Sequence, residues 1–214
     1  MDLLSRFHSG VAHQLSHPAG LAGRAIGRRL NKGNRPAVAQ AVAALAPFEG
    51  ATVADVGFGG GVGLELLLAS DAETVHGVEV STEMLRAARK RFAFDIDAER
   101  LGLDAGSMSA LPLPDATLDG LITTNTIYFI ADLAPAFAEL ARVLRPGGVA
   151  VLGLGDPEKM RKSSFTPYGF VIRPVEEVAA ALAAAGLPVT DHQRVGDDPA
   201  AYHLLVATSP AAPR

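Results

Sequence analysis

Cysteine is absent from the 214 residues, which removes disulfides, thiolate metal sites and cysteine nucleophiles together. Nor is there an apolar run of the roughly 18 residues that a membrane span needs. The chain opens Met1-Asp2, an acid where a secretory leader carries basic residues ahead of an apolar core. A cytoplasmic protein that makes no membrane contact is the expectation. Charge excess is small as well, since 19 Lys and Arg against 23 Asp and Glu leave −4, no signal for a polyanionic partner. Basic residues do gather at Arg24, Arg28, Arg29 and Lys32 and again at Arg86, Arg89, Lys90 and Arg91. Such groups read first as solvated helix faces, so no nucleic acid is expected. No acidic pair or histidine cluster has metal-ligand spacing; Asp156 and Glu158 read as a solvated loop pair, and no metal is expected.

What is present suits a globular protein: 49% hydrophobic and 20% charged residues fill a chain of ordinary single-domain size. We expect one domain over 1–214, with an N-terminal helical cap segment at 1–48 and an α/β core at 49–214. The cap segment should break near Pro18 to Gly20, and Asn34 is placed to cap a helix that begins around Pro36 and ends at Pro47 and Gly50. Beyond it, strand and helix alternate. Thr52 to Val56, Thr74 to Val80, Leu101 to Ala105, Leu118 to Thr124 and Val149 to Leu154 read as strands; Val62 to Ala69, Ser81 to Arg91 and Pro135 to Leu144 read as helices between them. Gly155 to Gly169 is a polar stretch too long for a tight connection, a candidate lid or binding loop. A helix over Pro174 to Ala185 and two strands, Val189 to Val195 and Tyr202 to Ala207, close the chain. The pattern predicts a doubly wound, seven-stranded, mostly parallel sheet with a C-terminal antiparallel hairpin, a Rossmann-like α/β fold.

The first strand runs into Gly57-Phe58-Gly59-Gly60-Gly61, a turn in which glycine allows positive φ and close backbone approach to a ligand. In such sheets the ligand crevice lies outside the carboxyl ends of the strands. The dinucleotide fingerprint needs glycines at the first, third and sixth places, but counting from Gly57 reaches Val62 and counting from Gly59 reaches Leu64. A phosphate-binding P-loop fails too, because no Gly-Lys-Ser or Gly-Lys-Thr follows. The series Asp55-x-Gly57-x-Gly59-x-Gly61, then Val78-Glu79-Val80-Ser81-Thr82-Glu83-Met84-Leu85, Gly106 to Leu113, Leu118 to Tyr128 and Leu144-Arg145-Pro146-Gly147-Gly148, resembles the class I S-adenosylmethionine-dependent methyltransferases, of the small-molecule, UbiE-like type. The resemblance covers residues 52 to 152, and Phe165 to Gly186 is similar to the tail of the same enzymes.

The resemblance implies S-adenosylmethionine as cofactor and S-adenosylhomocysteine as product, held by Asp55, Gly57, Phe58, Gly59, Gly61, Glu79, Val80, Met84, Ser107, Met108 and Asn125. Glu79 would bond the ribose hydroxyls, a charge-assisted pair, and Val80 would lie against adenine. Ser107 stands where many relatives carry an aspartate for the adenine amino group, and a hydroxyl makes the weaker acceptor. Asp55 either meets the methionine ammonium or serves only to orient the loop; Asn125 either meets the amine or acceptor or bonds its own turn.

The implied reaction is metal-independent, in-line transfer of a methyl group to a small-molecule O, N or C nucleophile, driven by proximity in a pocket closed to water. The catalytic residue is open. His13 and His17 on the cap segment and Tyr128 are candidates for a base, while His8 and His203 are weaker ones and His76 reads as structural. His13, Tyr128, Phe129 and Tyr168 are candidates for the acceptor pocket, with Phe165 and Phe170 nearby. No Asn-Pro-Pro-Tyr sequence follows the fourth strand, where Thr124-Asn125-Thr126-Ile127 stands. The partner is thus a small molecule, and the chain a monomer or homodimer. A cofactor-binding sensor or assembly protein without methyl transfer is the alternative.

Overall fold

A computed structural model describes residues 20–46, 48–164, 166–167, 169–196 and 201–211. Side chains are described from residue 33 onward. In chain order the elements are α1 (Gly20–Leu45), β1 (Thr52–Val56), α2 (Val62–Leu68), β2 (Thr74–Glu79), α3 (Thr82–Arg91), α4 (Ala93–Asp97), β3 (Leu101–Ala105), β4 (Leu118–Thr124), a 3₁₀ turn (Ile127–Phe129), α5 (Leu133–Val143), β5 (Leu144–Leu154), α6 (Pro157–Arg161), α7 (Val175–Ala184), β6 (Val189–Val195) and β7 (Tyr202–Thr208).

One seven-stranded sheet has the order β3-β2-β1-β4-β5-β7-β6. The first five strands pair in parallel. β7 runs against both neighbours, so it alone is reversed and β6 forms the edge. The order turns outward in both directions from β1 and β4, which puts the switch point between them, where ligands of open α/β sheets sit. Strands buried on both faces need apolar residues throughout. Val53, Ala54, Val56, Leu121 and Ile122 are all at most 1% exposed.

Each face has its own core. On one, α1, α2 and α3 cover the sheet through Val38, Ala41, Leu45, Leu64, Leu67 and Leu85. On the other, α5 and α7 bring Phe137, Leu140, Val178 and Leu182 against Leu121, Leu152 and Leu205. Burying a side chain of this size stabilises by about 1.5–3 kcal/mol. Local signals set the helix starts. Ser81 caps α3, its hydroxyl accepting from Met84 N–H at 3.3 Å, and Asp132 caps α5 through Ala134 N–H at 3.0 Å.

The structure departs from the sequence reading in three places. α1 does not begin at Pro36: it runs unbroken from Gly20 through Pro36 to Leu45, so Asn34 lies inside it rather than capping it. After Pro36, Ala37, Val38, Ala41, Val42 and Leu45 bury one continuous face, and the helix carries the proline at the loss of one backbone hydrogen bond. β5 starts at Leu144, earlier than the glycines suggest, because Leu144 already pairs with Leu118 before a register shift leads into the Gly120–Val149 pairing. The polar stretch after β5 contains α6, whose first turn is capped by Asp156 through Lys159 N–H at 2.9 Å.

Candidate functional site

The chain leaves β1 through three left-handed glycines, Gly57, Gly59 and Gly61, at φ 76°, 50° and 75°, a region closed to most side chains. Gly57 has a second constraint. A Cβ there would stand 2.7 Å from Thr126 Cγ2 and 2.9 Å from Thr126 Oγ1, so the turn after β4 packs directly on the turn after β1. Arg91 of α3 donates to the Gly60 carbonyl at 3.2 Å and pairs with Glu65 of α2, which also pairs with Arg35 of α1 at 2.8 Å. Three helices thereby brace the loop from outside.

The carboxylate of Glu79 crosses to this loop. Its Oε2 accepts from Gly59 N–H at 2.9 Å and its Oε1 from Ser81 N–H at 2.9 Å, while the residue is 7% exposed. β2 ends beside β1 in parallel register, with Val78 opposite Val56, so strand pairing alone delivers the acid to the glycine turn. Each carboxylate oxygen keeps a further lone pair for a ligand donor. Val80, next in sequence, is 57% exposed, an apolar side chain left open at the strand end.

Asp55, by contrast, points into the protein. It is 3% exposed and accepts from Leu64 N–H in the first turn of α2, so it orients the loop by fixing where the helix starts. Gly63 makes this possible, since a Cβ there would lie 2.2 Å from Asp55 Oδ2. Burial first, and the nearby Glu79 charge second, push the Asp55 carboxyl up to about 8 from 3.8. The sequence pointed to Asp55 but not to Gly63, because the pair meets only when the helix folds back.

Phe58 is 5% exposed and Met84 9%, both in the core beneath α2 and α3, whereas Met108, 4% exposed, belongs to the opposite core. Their side chains are packing groups, and what they offer a ligand is backbone. Ser107 begins a tight turn in which Ala110 N–H returns to its carbonyl at 3.0 Å. The turn is held down by Arg142 of α5, which donates to the carbonyls of Leu111 and Leu113 and pairs with Asp115 and Glu139.

At the end of β4, Asn125 adopts φ 59° and donates its N–H to the Gly153 carbonyl at 2.8 Å. A non-glycine residue in that region stores strain, a feature that concentrates at functional sites. Tyr128 follows in the 3₁₀ turn, its hydroxyl accepting from Gly155 N–H at 2.6 Å. Burial pushes its phenol up to about 12, which keeps the proton on the hydroxyl at neutral pH. Phe170 packs 5.8 Å from the Tyr128 ring and 4.8 Å from that of Phe129, which makes an aromatic wall at this rim. His8, His13, His17, Phe165 and Tyr168 lie outside the described residues.

Among the described residues no three His, Asp or Glu are grouped to hold a metal ion, and no helix is long and apolar enough to cross a membrane. Asp156 does more than face solvent: its Oδ2 lies 3.6 Å from His203 Nε2, and His203 Nδ1 is 2.8 Å from His192 Nε2. Sequence reading also passed over Tyr202, whose ring lies across Gly153. A Cβ on that glycine would stand 2.6 Å from the Tyr202 hydroxyl.

Comparison with known proteins bears on this arrangement. Residues 54–152 match a family described as methyltransferase domain. The ubiquinone/menaquinone biosynthesis C-methyltransferase UbiE of Geobacter sulfurreducens is 33% identical over 106 residues, 49% of this chain and 41% of that protein. Among solved structures, a methyltransferase solved in complex with the Haloferax volcanii methyltransferase activator superposes with a TM-score of 0.77 at 22% identity, covering 90% of this chain and 96% of that one. The [4+2]-cyclase SpnF gives 0.73 at 18% identity, covering 98% and 96%. At such identities the structures speak for the fold, and the chain spans only 20–39% of the length of the first curated relatives it matches. Sheet order, glycine turn and family match agree: over residues 54–152 the chain is similar to a methyltransferase domain, in a fold shared with S-adenosylmethionine-dependent methyltransferases.

Proposed function

We propose that the protein transfers a methyl group from S-adenosylmethionine to a small-molecule acceptor without a metal ion. The observation that carries this reading is the Glu79 carboxylate, fixed 2.9 Å from Gly59 N–H at the mouth of the switch point. Beside it lies a glycine turn with no Cβ to obstruct a ligand. When bound, the cofactor supplies an electrophilic methyl group on a sulfonium. Glu79 accepts from the ribose hydroxyls, Val80 lies against adenine, and Ser107 with the Met108 backbone meets the adenine edge. The backbone of Gly57, Phe58, Gly59 and Gly61 lines the amino-acid side, with Asn125 opposite it and Asp55 setting the loop. Tyr128 and Phe129 wall the acceptor side. Orientation and exclusion of water then supply most of the acceleration.

Incubation with methyl-labelled S-adenosylmethionine and separate phenol, carboxylic acid and amine acceptors tests the transfer. We expect label in one acceptor class, unaffected by a chelator. A second reading, cofactor binding without methyl transfer, draws support from the likeness to a protein described as a cyclase. Tight cofactor binding with no labelled product from any class would favour it.

A further inference from the structure

Tyr202 opens β7 beside the end of β5, and its ring reaches over Gly153 toward Thr124 and Asn125 at the end of β4. Its hydroxyl is shut off from water and has no hydrogen-bond partner among the described residues. The backbone group that bears on its oxygen, the Asn125 N–H, already donates to the Gly153 carbonyl at 2.8 Å. Burial first, and the neighbouring Tyr128 second, raise its phenol well above 10, so the group is a neutral O–H donor without an acceptor. Buried polar groups left in this state are rare and costly, and call for a partner beyond the described residues.

Its place in the sheet says which partner. Glu79 ends β2, and β1, β4 and β5 follow it in order, so the Tyr202 hydroxyl, over Gly153 of β5, stands about three strand spacings or roughly 14 Å away. A nucleoside held by its ribose at Glu79, carrying a four-carbon amino acid through sulfur, covers that span when extended, with a hydrogen bond at each end. We propose that the Tyr202 hydroxyl donates a hydrogen bond to the carboxylate at the amino-acid end of the bound cofactor. This rests on the reading of Glu79 above. The rim residue beside the hydroxyl is Asn125, at the strained φ of 59°. Gly153 is part of the device, because any side chain there would displace the phenol.

Calorimetry on wild type and Tyr202→Phe with two ligands, S-adenosylhomocysteine and 5′-methylthioadenosine, which lacks the amino-acid carboxylate, tests the proposal. We expect Tyr202→Phe to weaken S-adenosylhomocysteine binding about tenfold, the loss of one charge-assisted bond, and to leave methylthioadenosine unchanged. The ligand-free variant should melt no lower than wild type, since it loses an unpaired hydroxyl. Equal weakening of both ligands, no weakening of either, or a ligand-free melting temperature lowered by more than about 3 °C overturns the proposal. Wild type that binds neither ligand instead sinks the reading of the site on which it rests.

Discussion

Asp55 sits 3% exposed beneath the glycine turn, with its carboxyl committed to the first turn of α2. Burial there disfavours its charge, and the folded state holds the Asp55 proton up to about pH 8 where the free side chain releases it near 3.8. The folded state therefore binds this proton more tightly. Its contribution to stability is full below about pH 4 and is lost as pH rises toward 8. Asp55→Asn keeps an oxygen for Leu64 N–H and removes the titration. Urea unfolding of ligand-free protein from pH 5 to 8 should show wild type losing stability relative to the variant, by at most about 1.4 kcal/mol per pH unit. Parallel curves for the two proteins would show that Asp55 is ionised throughout. The same residue marks a limit of sequence reading. Its neighbourhood to the glycines is local and visible, but the Gly63 contact that aims it inward depends on a helix turning back over the strand.

Among the elements, the parallel strands were the most legible, because each is a short apolar run closed by a turn residue. β1, β3 and β4 begin and end where the pattern places them. Helix α1 was not, since Pro36 signals a start and the helix instead runs through it from Gly20. The short helices α4 and α6 carry too few apolar residues to show a period. The segment from Ser107 to Thr117 has no regular structure beyond one bridge and depends on Arg142, which fastens two of its carbonyls and Asp115 to α5. Arg142→Ala should cost about 2 kcal/mol, the value of several hydrogen bonds to a charged group partly open to water. It should speed amide exchange over residues 107–117 while leaving β4 and β5 protected. Unchanged exchange in that segment would mean that Leu111 and Leu113, 5% and 6% exposed, hold it by packing alone.

For the molecule as a whole, seven strands in this order bring three separate loops to one rim: the turn after β1, the end of β2 and the end of β4. The glycine turn and Glu79 were readable because each is a local sequence feature at a strand end. Thr126 against Gly57, and Tyr202 over Gly153, were not, because each joins residues that only the sheet brings together. The central claim is that this rim binds S-adenosylmethionine through the Glu79 carboxylate. Titration calorimetry with S-adenosylhomocysteine tests it directly, using wild type, Glu79→Gln and Glu79→Ala, each checked for an unchanged far-UV spectrum. The account predicts saturable one-to-one binding by wild type, weakened about tenfold in Glu79→Gln and about a hundredfold in Glu79→Ala, as two charge-assisted bonds are reduced and then removed. Folded wild-type protein that binds no S-adenosylhomocysteine, or folded Glu79→Ala that binds it as tightly as wild type, would contradict the account.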